Sequence, residues 1–105
     1  MKKLCLLLSI LFSVSAANAY DQSLEIAKRF CSSNLECIDI LSLELDSAYH
    51  AGQKDGGKKN ADLNKLVIDK KSRLSTFCAK APNADLCSAY RDQLLMLYVK
   101  GLAEK

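Results

Sequence analysis

Hydrophobic positions in the first half of the chain recur at alternating steps of three and four residues. The clearest series runs through Ile38, Leu41, Leu45, Ala48 and Gly52. Such spacing is typical of an α-helix with one buried face. The sequence therefore predicts a helix from about Leu35 to Ala51. Ile40, Leu43 and Tyr49 widen its apolar face, which makes it the expected central helix.

A shorter helix is predicted ahead of the central one. Asp21 is its candidate N-cap, and the helix is expected to end near Phe30. The polar run 32–34 reads Ser-Ser-Asn. These side chains compete for backbone hydrogen bonds and favour caps and turns, so we expect a helical corner there.

A third helix is expected to start near Asn60 or Asp62 and to continue to Lys80. Pro82 would stop it, because proline disfavours helical angles in the residue before it. Between the central and third helices, the segment 52–60 reads GQKDGGKKN and contains no apolar side chain. Its composition predicts a flexible polar linker. The linker does not separate two domains, since neither half could bury a core alone.

The fourth helix is expected to be capped by Asn83 or Asp85 and to run to about Lys100, with Gly101 ending it. No segment shows the alternation of a strand, and Val, Ile and Thr are sparse. The predicted fold class is therefore all-α. We expect a small bundle of about four helices in two hairpins.

The N-terminal residues have the pattern of a secretory signal. Two lysines precede an apolar run, and the small residues Ala17-Asn18-Ala19 form a cleavage site. We expect cleavage after Ala19, which leaves a single domain over residues 20–105 in the periplasm. A signal retained as a membrane anchor is the alternative.

Charge and cysteine content change the picture after the signal is set aside. The signal holds two of the fifteen basic residues, so the remaining thirteen nearly balance twelve acidic ones. No clustered basic face is evident, which argues against nucleic-acid binding.

Four cysteines remain after the signal is set aside: Cys31, Cys37, Cys78 and Cys87. An even number in a short exported chain predicts a disulfide framework.

The spacing of the cysteines favours pairing of Cys31 with Cys37 and of Cys78 with Cys87. Each pair would span a short helical corner and bring its Cα atoms within disulfide range. The alternative is that the bonds cross between the halves, joining Cys31 to Cys87 and Cys37 to Cys78. In either case the bonds would reinforce a modest core.

Residue types needed for catalysis are scarce. His50 is the only histidine, and its expected place near a helix end favours a simple interaction with the helix dipole. No phosphate loop, cofactor motif or metal-ligand spacing is present, so we expect neither enzyme activity nor a cofactor or metal. A small exported helical domain of this kind is expected to bind another protein. The candidate contact residues at the first corner are Asn34, Leu35, Glu36 and Asp39.

The run from Cys31 to Ile38 resembles a segment of the phage lysis-inhibition antiholins of the T-even rapid-lysis class. Those proteins share a Cys-Ser-Ser-x-x-Glu-Cys-Ile pattern that leads into a helix with Ser and Tyr near its end, and Ser47 and Tyr49 occupy that place here. The resemblance implies a periplasmic domain that binds a holin and delays lysis. It also implies that a disulfide between Cys31 and Cys37 fixes the binding conformation.

Two other functions fit the same sequence. The chain could be a periplasmic immunity protein or inhibitor that neutralises a toxin or lysozyme, or a host envelope protein. In all three cases the expected partner is a protein, and contact with the membrane is expected only through that partner. The sequence gives no oligomeric state.

Overall fold

The computed structural model describes residues 20–104, and this part of the chain contains four helices and no strand. Helix α1 covers 20–31, α2 Leu35–Gly56, α3 Leu63–Leu74 and α4 Ala84–Ala103. The prediction of an all-α bundle of four helices is confirmed. The predicted signal, residues 1–19, lies outside the described residues.

Helices α2 and α4 run in parallel and form the main packing interface. Glu44 contacts Tyr90, Gly52 contacts Tyr98 and Gly56 contacts Leu102, so these contacts keep a constant spacing of 46 residues.

The other two helices run antiparallel to this pair. Gln22 of α1 meets Lys100 near the end of α4, whereas Phe30 meets Tyr90 near its start.

The order of contacts likewise makes α3 antiparallel to α4. Lys70 lies over the ring of Tyr98, and Phe77, just after α3, packs near Tyr90. The chain thus forms two helical hairpins, α1 with α2 and α3 with α4, placed side by side. Since α2 and α4 are parallel, the two hairpin corners lie at the same end of the molecule.

The core is formed by α1, α2 and α4. Ile26, Leu45 and Leu97 come from these three helices and are almost completely shielded from solvent. Burial of three such aliphatic side chains is worth about 1.5–3 kcal/mol each. Helix α3 contributes no buried residue. Of the hydrophobic series predicted for α2, Ile38, Leu45 and Ala48 are buried in this core.

The helix starts follow the predicted polar caps, with one exception. The side chains of Asn34, Asp62 and Asn83 each accept a hydrogen bond from a backbone N–H in the first turn of the helix that follows. These bonds satisfy donors that a helix start leaves unpaired. Asp21 is not a cap, because the chain is already helical at Tyr20.

The end of α2 differs from the prediction. The helix continues five residues beyond Ala51, so the first part of the expected linker 52–60 is helical and only 57–60 forms turns. Gly52 and Gly56 are buried against the backbone of α4. A glycine-rich segment has a low helix propensity on its own. Here the glycines allow α2 and α4 to approach closely.

The ends of α3 and α4 also differ. Helix α3 ends at Leu74 rather than near Lys80, and the chain continues through turns over 75–80. Gly101 does not end α4, which extends to Ala103. Gly101 is buried inside the helix, where a Cβ atom would lie 2.0 Å from the carbonyl oxygen of Tyr49.

Candidate protein-binding face

Disulfides close both helical corners. Cys31 is bonded to Cys37 with a Cα–Cα distance of 5.5 Å, and Cys78 to Cys87 with a distance of 5.7 Å. The favoured pairing within each corner is therefore confirmed, and the alternative that crosses between the halves is wrong. Each bond joins the last turn of one segment to the first turn of the next helix.

Asn34 is the N-cap of α2 at the first corner. Its Oδ1 accepts a hydrogen bond of 3.0 Å from the backbone N–H of Cys37, and its backbone N–H donates to the carbonyl oxygen of Cys31. Ser32 has a positive φ of 56° and reverses the chain after α1. Asn34 was predicted as a contact residue, and the structure uses its side chain to fix the start of α2.

Residues on the solvent side of α2 form a continuous exposed surface next to this corner. We define the outer face of α2 as Leu35, Glu36, Asp39, Ile40 and Leu43. Positions 35, 39 and 43 form one row along the helix, and positions 36 and 40 form the next. All five residues are exposed, and the structure thus brings together three of the four predicted contact residues.

Sequence reasoning misplaced two members of this face. Ile40 and Leu43 were expected to widen the buried side of α2, but they are 57% and 63% exposed. Leu35 is 76% exposed. The core side of α2 is already filled by contacts with α1 and α4, and α3 does not extend over these two side chains. Only the arrangement of the neighbouring helices could have revealed this exposure.

The outer face carries negative charge next to its aliphatic side chains. Neither Glu36 nor Asp39 forms an ion pair within residues 20–104. Farther along the same side, the Nε2 atom of His50 lies 3.2 Å from Oδ2 of Asp46, and its Nδ1 lies 3.1 Å from Oε1 of Gln53. The free carboxylates make the face suitable for a partner that is both apolar and basic.

Three tyrosines hold α2 in place by donating hydrogen bonds to carboxylates. Tyr98 donates to Asp55 at 2.7 Å, Tyr49 donates to Glu104 at 2.9 Å, and Tyr90 donates to Glu44. All three tyrosine rings are buried. Because each bond joins α2 to α4 or to its C-terminal cap, the three fix how α2 sits against its neighbour.

Burial and these hydrogen bonds shift the titration of the groups involved. Burial, with the hydrogen bond to Asp55, raises the pKa of Tyr98 to about 12. The same hydrogen bond lowers the pKa of Asp55 below its ordinary value of 3.8. Burial raises the pKa of Tyr90 well above its ordinary value, and Glu44 adds to that shift. The tyrosines therefore stay neutral donors at neutral pH.

His50 lies six residues before the end of α2 and so outside its last turn, because the helix continues to Gly56. Its pairing with Asp46 one turn earlier replaces the expected interaction with the helix dipole.

No group of three or more His, Cys, Asp or Glu side chains that could hold a metal occurs within residues 20–104. In the same range, no helix is long and apolar enough to cross a membrane.

Comparison with known proteins identifies the family. The model of the valyl-tRNA ligase modifier family matches residues 1–104, and the chain therefore belongs to that family. The matched range includes the apolar N-terminal segment as well as all four helices. No curated protein and no solved structure matches the chain.

Proposed function

We propose that this member of the valyl-tRNA ligase modifier family is a periplasmic, non-enzymatic binding protein that resembles the antiholins. In this proposal it binds the periplasmic part of a holin through the outer face of α2 and thereby delays lysis of the host cell. The observation that carries the proposal is the corner closed by Cys31 and Cys37, which fixes an exposed apolar and acidic surface. The resemblance of Cys31 to Ile38 to the antiholin segment supports the same partner.

The disulfides support the compartment. Disulfides persist in the bacterial periplasm and are rare in the reducing cytoplasm. Both bonds have Cα distances within the ordinary range, which requires no rearrangement of the backbone. The signal pattern at 1–19 points to the same location.

The outer face of α2 supports binding to a protein. Large aliphatic side chains that are exposed as a group are typical of protein-binding sites. When a partner covers them, the burial of their apolar surface favours the complex. Since Glu36 and Asp39 lie among them, a partner with basic side chains around an apolar centre would be favoured. Such charge complementarity speeds association and disfavours wrong partners.

The direct test measures the time of lysis. The chain is expressed with its signal in cells that also express a candidate holin, and culture turbidity is followed. We expect a delay that is shortened by the double substitution Leu35→Ala and Leu43→Ala. The matched control is Met96→Ala, which removes another partly exposed apolar side chain from α4. It should leave the delay unchanged.

Two results would contradict the proposal. The first is the absence of any delay with every cognate holin although the folded protein is recovered from the periplasm. The second is a delay that the α2 substitutions and the Met96 substitution weaken equally. The latter result would place the contact elsewhere.

The family description favours a second candidate function, which is binding to a valyl-tRNA ligase. The match over residues 1–104 is the observation behind it. Aminoacylation takes place in the cytoplasm, where the thiols of Cys31, Cys37, Cys78 and Cys87 would be expected to stay reduced. The two candidates therefore differ in compartment and in thiol state.

A single experiment separates these candidates. Cells that make the tagged chain are fractionated after the free thiols have been blocked with an alkylating reagent. Oxidised protein in the periplasm supports the first candidate. Reduced protein in the cytoplasm that co-purifies with valyl-tRNA ligase supports the second and contradicts the first.

A further inference from the structure

Charge is distributed very unevenly over the folded part of the chain. Residues 58–80, which include α3, carry seven basic and two acidic side chains. The rest of the described chain, 20–57 and 81–104, carries five basic and ten acidic ones. A near-neutral protein thus has one strongly basic element, although the overall charge balance gave no sign of it.

This basic element packs only lightly on the rest of the protein. Helix α3 contains no buried residue. Its inner side is half-buried and comprises Leu66, Val67, Lys70 and Leu74. The Nζ atom of Lys70 lies 5.2 Å from the centre of the Tyr98 ring. Apart from the half-buried Asp69, the other side chains of α3 are exposed.

The solvent side of α3 combines cations with an aliphatic side chain. Lys65, Ile68 and Lys71 are spaced three residues apart and share one side of the helix. Ile68 is 65% exposed, and both lysines are exposed. Neither lysine has an acidic partner within residues 20–104. We call these three residues the basic face of α3.

We propose that the basic face of α3 docks on the surface of an anionic lipid bilayer. The lysines would lie at the level of the phosphate groups, and Ile68 would enter the boundary between headgroups and acyl chains. Basic side chains near an anionic membrane are attracted through its negative surface potential. Binding of a helix to the interface is strengthened by buried apolar area and by electrostatic attraction to anionic lipids, and the basic face of α3 offers both.

The chemistry of the face favours lipid over the two other anionic partners that it could meet. Single-stranded RNA is bound with aromatic side chains on which bases stack, but the basic face of α3 presents an aliphatic one. The outer face of α2 in a second copy of the chain offers only Glu36 and Asp39 as free carboxylates. A bilayer supplies a dense anionic surface and a place for Ile68.

This proposal goes beyond the proposed function, because it concerns a different face and needs no holin. It also departs from the expectation that the chain meets the membrane only through its partner. If both proposals hold, docking through α3 would keep the outer face of α2 close to the membrane, where a holin would be found.

The test is a vesicle flotation assay with the mature, disulfide-bonded protein. Vesicles of phosphatidylcholine with about 30% phosphatidylglycerol are compared with vesicles of phosphatidylcholine alone, at low and at raised salt. We expect binding to the anionic vesicles only, and salt should weaken it. The double substitution Lys65→Glu and Lys71→Glu should reduce the partition coefficient at least about tenfold, since each cation near the surface contributes roughly fivefold.

The matched control is the double substitution Lys28→Glu and Lys54→Glu. It changes the net charge by the same amount, but the two residues lie on α1 and α2. We expect its binding to stay within about twofold of the wild-type protein, apart from the small effect of net charge. Replacement of Ile68 by Ser should weaken binding without changing its dependence on salt.

Several results would overturn the proposal. They are a failure to bind anionic vesicles, an equal loss in both double variants, and binding that is indifferent to the presence of phosphatidylglycerol. Tighter binding to total tRNA than to vesicles would replace lipid with RNA as the ligand. Self-association that the Lys65 and Lys71 substitutions abolish would replace it with a second copy of the chain.

Discussion

Gly52 of α2 and Gly101 of α4 bring the backbones of two parallel helices into direct contact. A Cβ atom built on Gly101 would lie 3.0 Å from the Cα of Gly52, and one built on Gly52 would lie 2.1 Å from the carbonyl oxygen of Tyr98. The atoms in the way are backbone atoms, which cannot turn aside as a flexible side chain does. The contact between the central helices therefore depends on the absence of side chains at both positions.

Substitution of either glycine by alanine should destabilise the protein strongly. An added methyl group forces the helices apart, and such overpacking costs about 1 to 3 kcal/mol in a well-packed interface. Urea unfolding followed by circular dichroism measures the loss for Gly52→Ala and Gly101→Ala. Gly57→Ala is the control, because a Cβ there would lie 3.2 Å from the carbonyl oxygen of Gln53 and 3.8 Å from that of Lys54, with no atom of another helix in the way. A similar loss in all three variants would contradict the close contact.

The two corner disulfides should contribute separately to stability. Replacement of Cys31 and Cys37 by serine removes a closure of the unfolded chain that is worth about 2 to 3 kcal/mol in the loop-entropy account. The same change at Cys78 and Cys87 should have a similar effect. Thermal melting of both double variants measures the losses. An unchanged melting temperature for the first pair would show that this corner holds without its disulfide.

The outer face of α2 should be tolerant of substitution, unlike the core side of the same helix. Leu43→Ala and Ile40→Ala should change the free energy of unfolding by no more than about 0.5 kcal/mol, because both side chains are exposed. Leu45→Ala should cost about 2 to 5 kcal/mol, because Leu45 is fully buried. Chemical unfolding compares them directly. A large loss at Leu43 would mean that this side chain supports the fold and is not free for a partner.

The hydrogen bond from Tyr98 to Asp55 should make stability depend on pH in acid. The pKa of Asp55 is lower in the folded protein than the ordinary value of 3.8. Its contribution is therefore present above that ordinary value and is lost as the pH falls through the folded value. We expect Tyr98→Phe to reduce the difference in unfolding free energy between about pH 5 and about pH 2.5. Equal pH dependence in both proteins would contradict the role of this bond.

The Tyr98 side chain of the same hydrogen bond should make stability depend on pH in alkali as well. Since the pKa of Tyr98 is raised from 10.0 to about 12, its contribution is present below pH 10 and is lost as the pH rises toward 12. Spectrophotometric titration of the tyrosine absorbance should show phenols that ionise late. In Asp55→Asn, the ionisation of Tyr98 should move back toward ordinary values. Tyrosines that all titrate near pH 10 would contradict this expectation.

Local sequence determined most helix starts and both corners. Asn34, Asp62 and Asn83 act as caps because a short polar side chain reaches the unpaired N–H groups of the first turn, an interaction that spans only three residues. The cysteine pairs follow from the same locality, since a short corner holds two Cα atoms within bonding distance. No distant part of the chain is needed for these features.

Tertiary structure alone decided where α2 and α4 end and which apolar side chains stay exposed. Glycine is unfavourable within an isolated helix, so the sequence favoured a linker at Gly52 and a helix end at Gly101. Close packing between parallel helices reverses that preference, because it requires positions without side chains. Similarly, the exposure of Ile40 and Leu43 depends on which sides of α2 the other helices cover, and this arrangement is set by contacts between residues far apart in the chain.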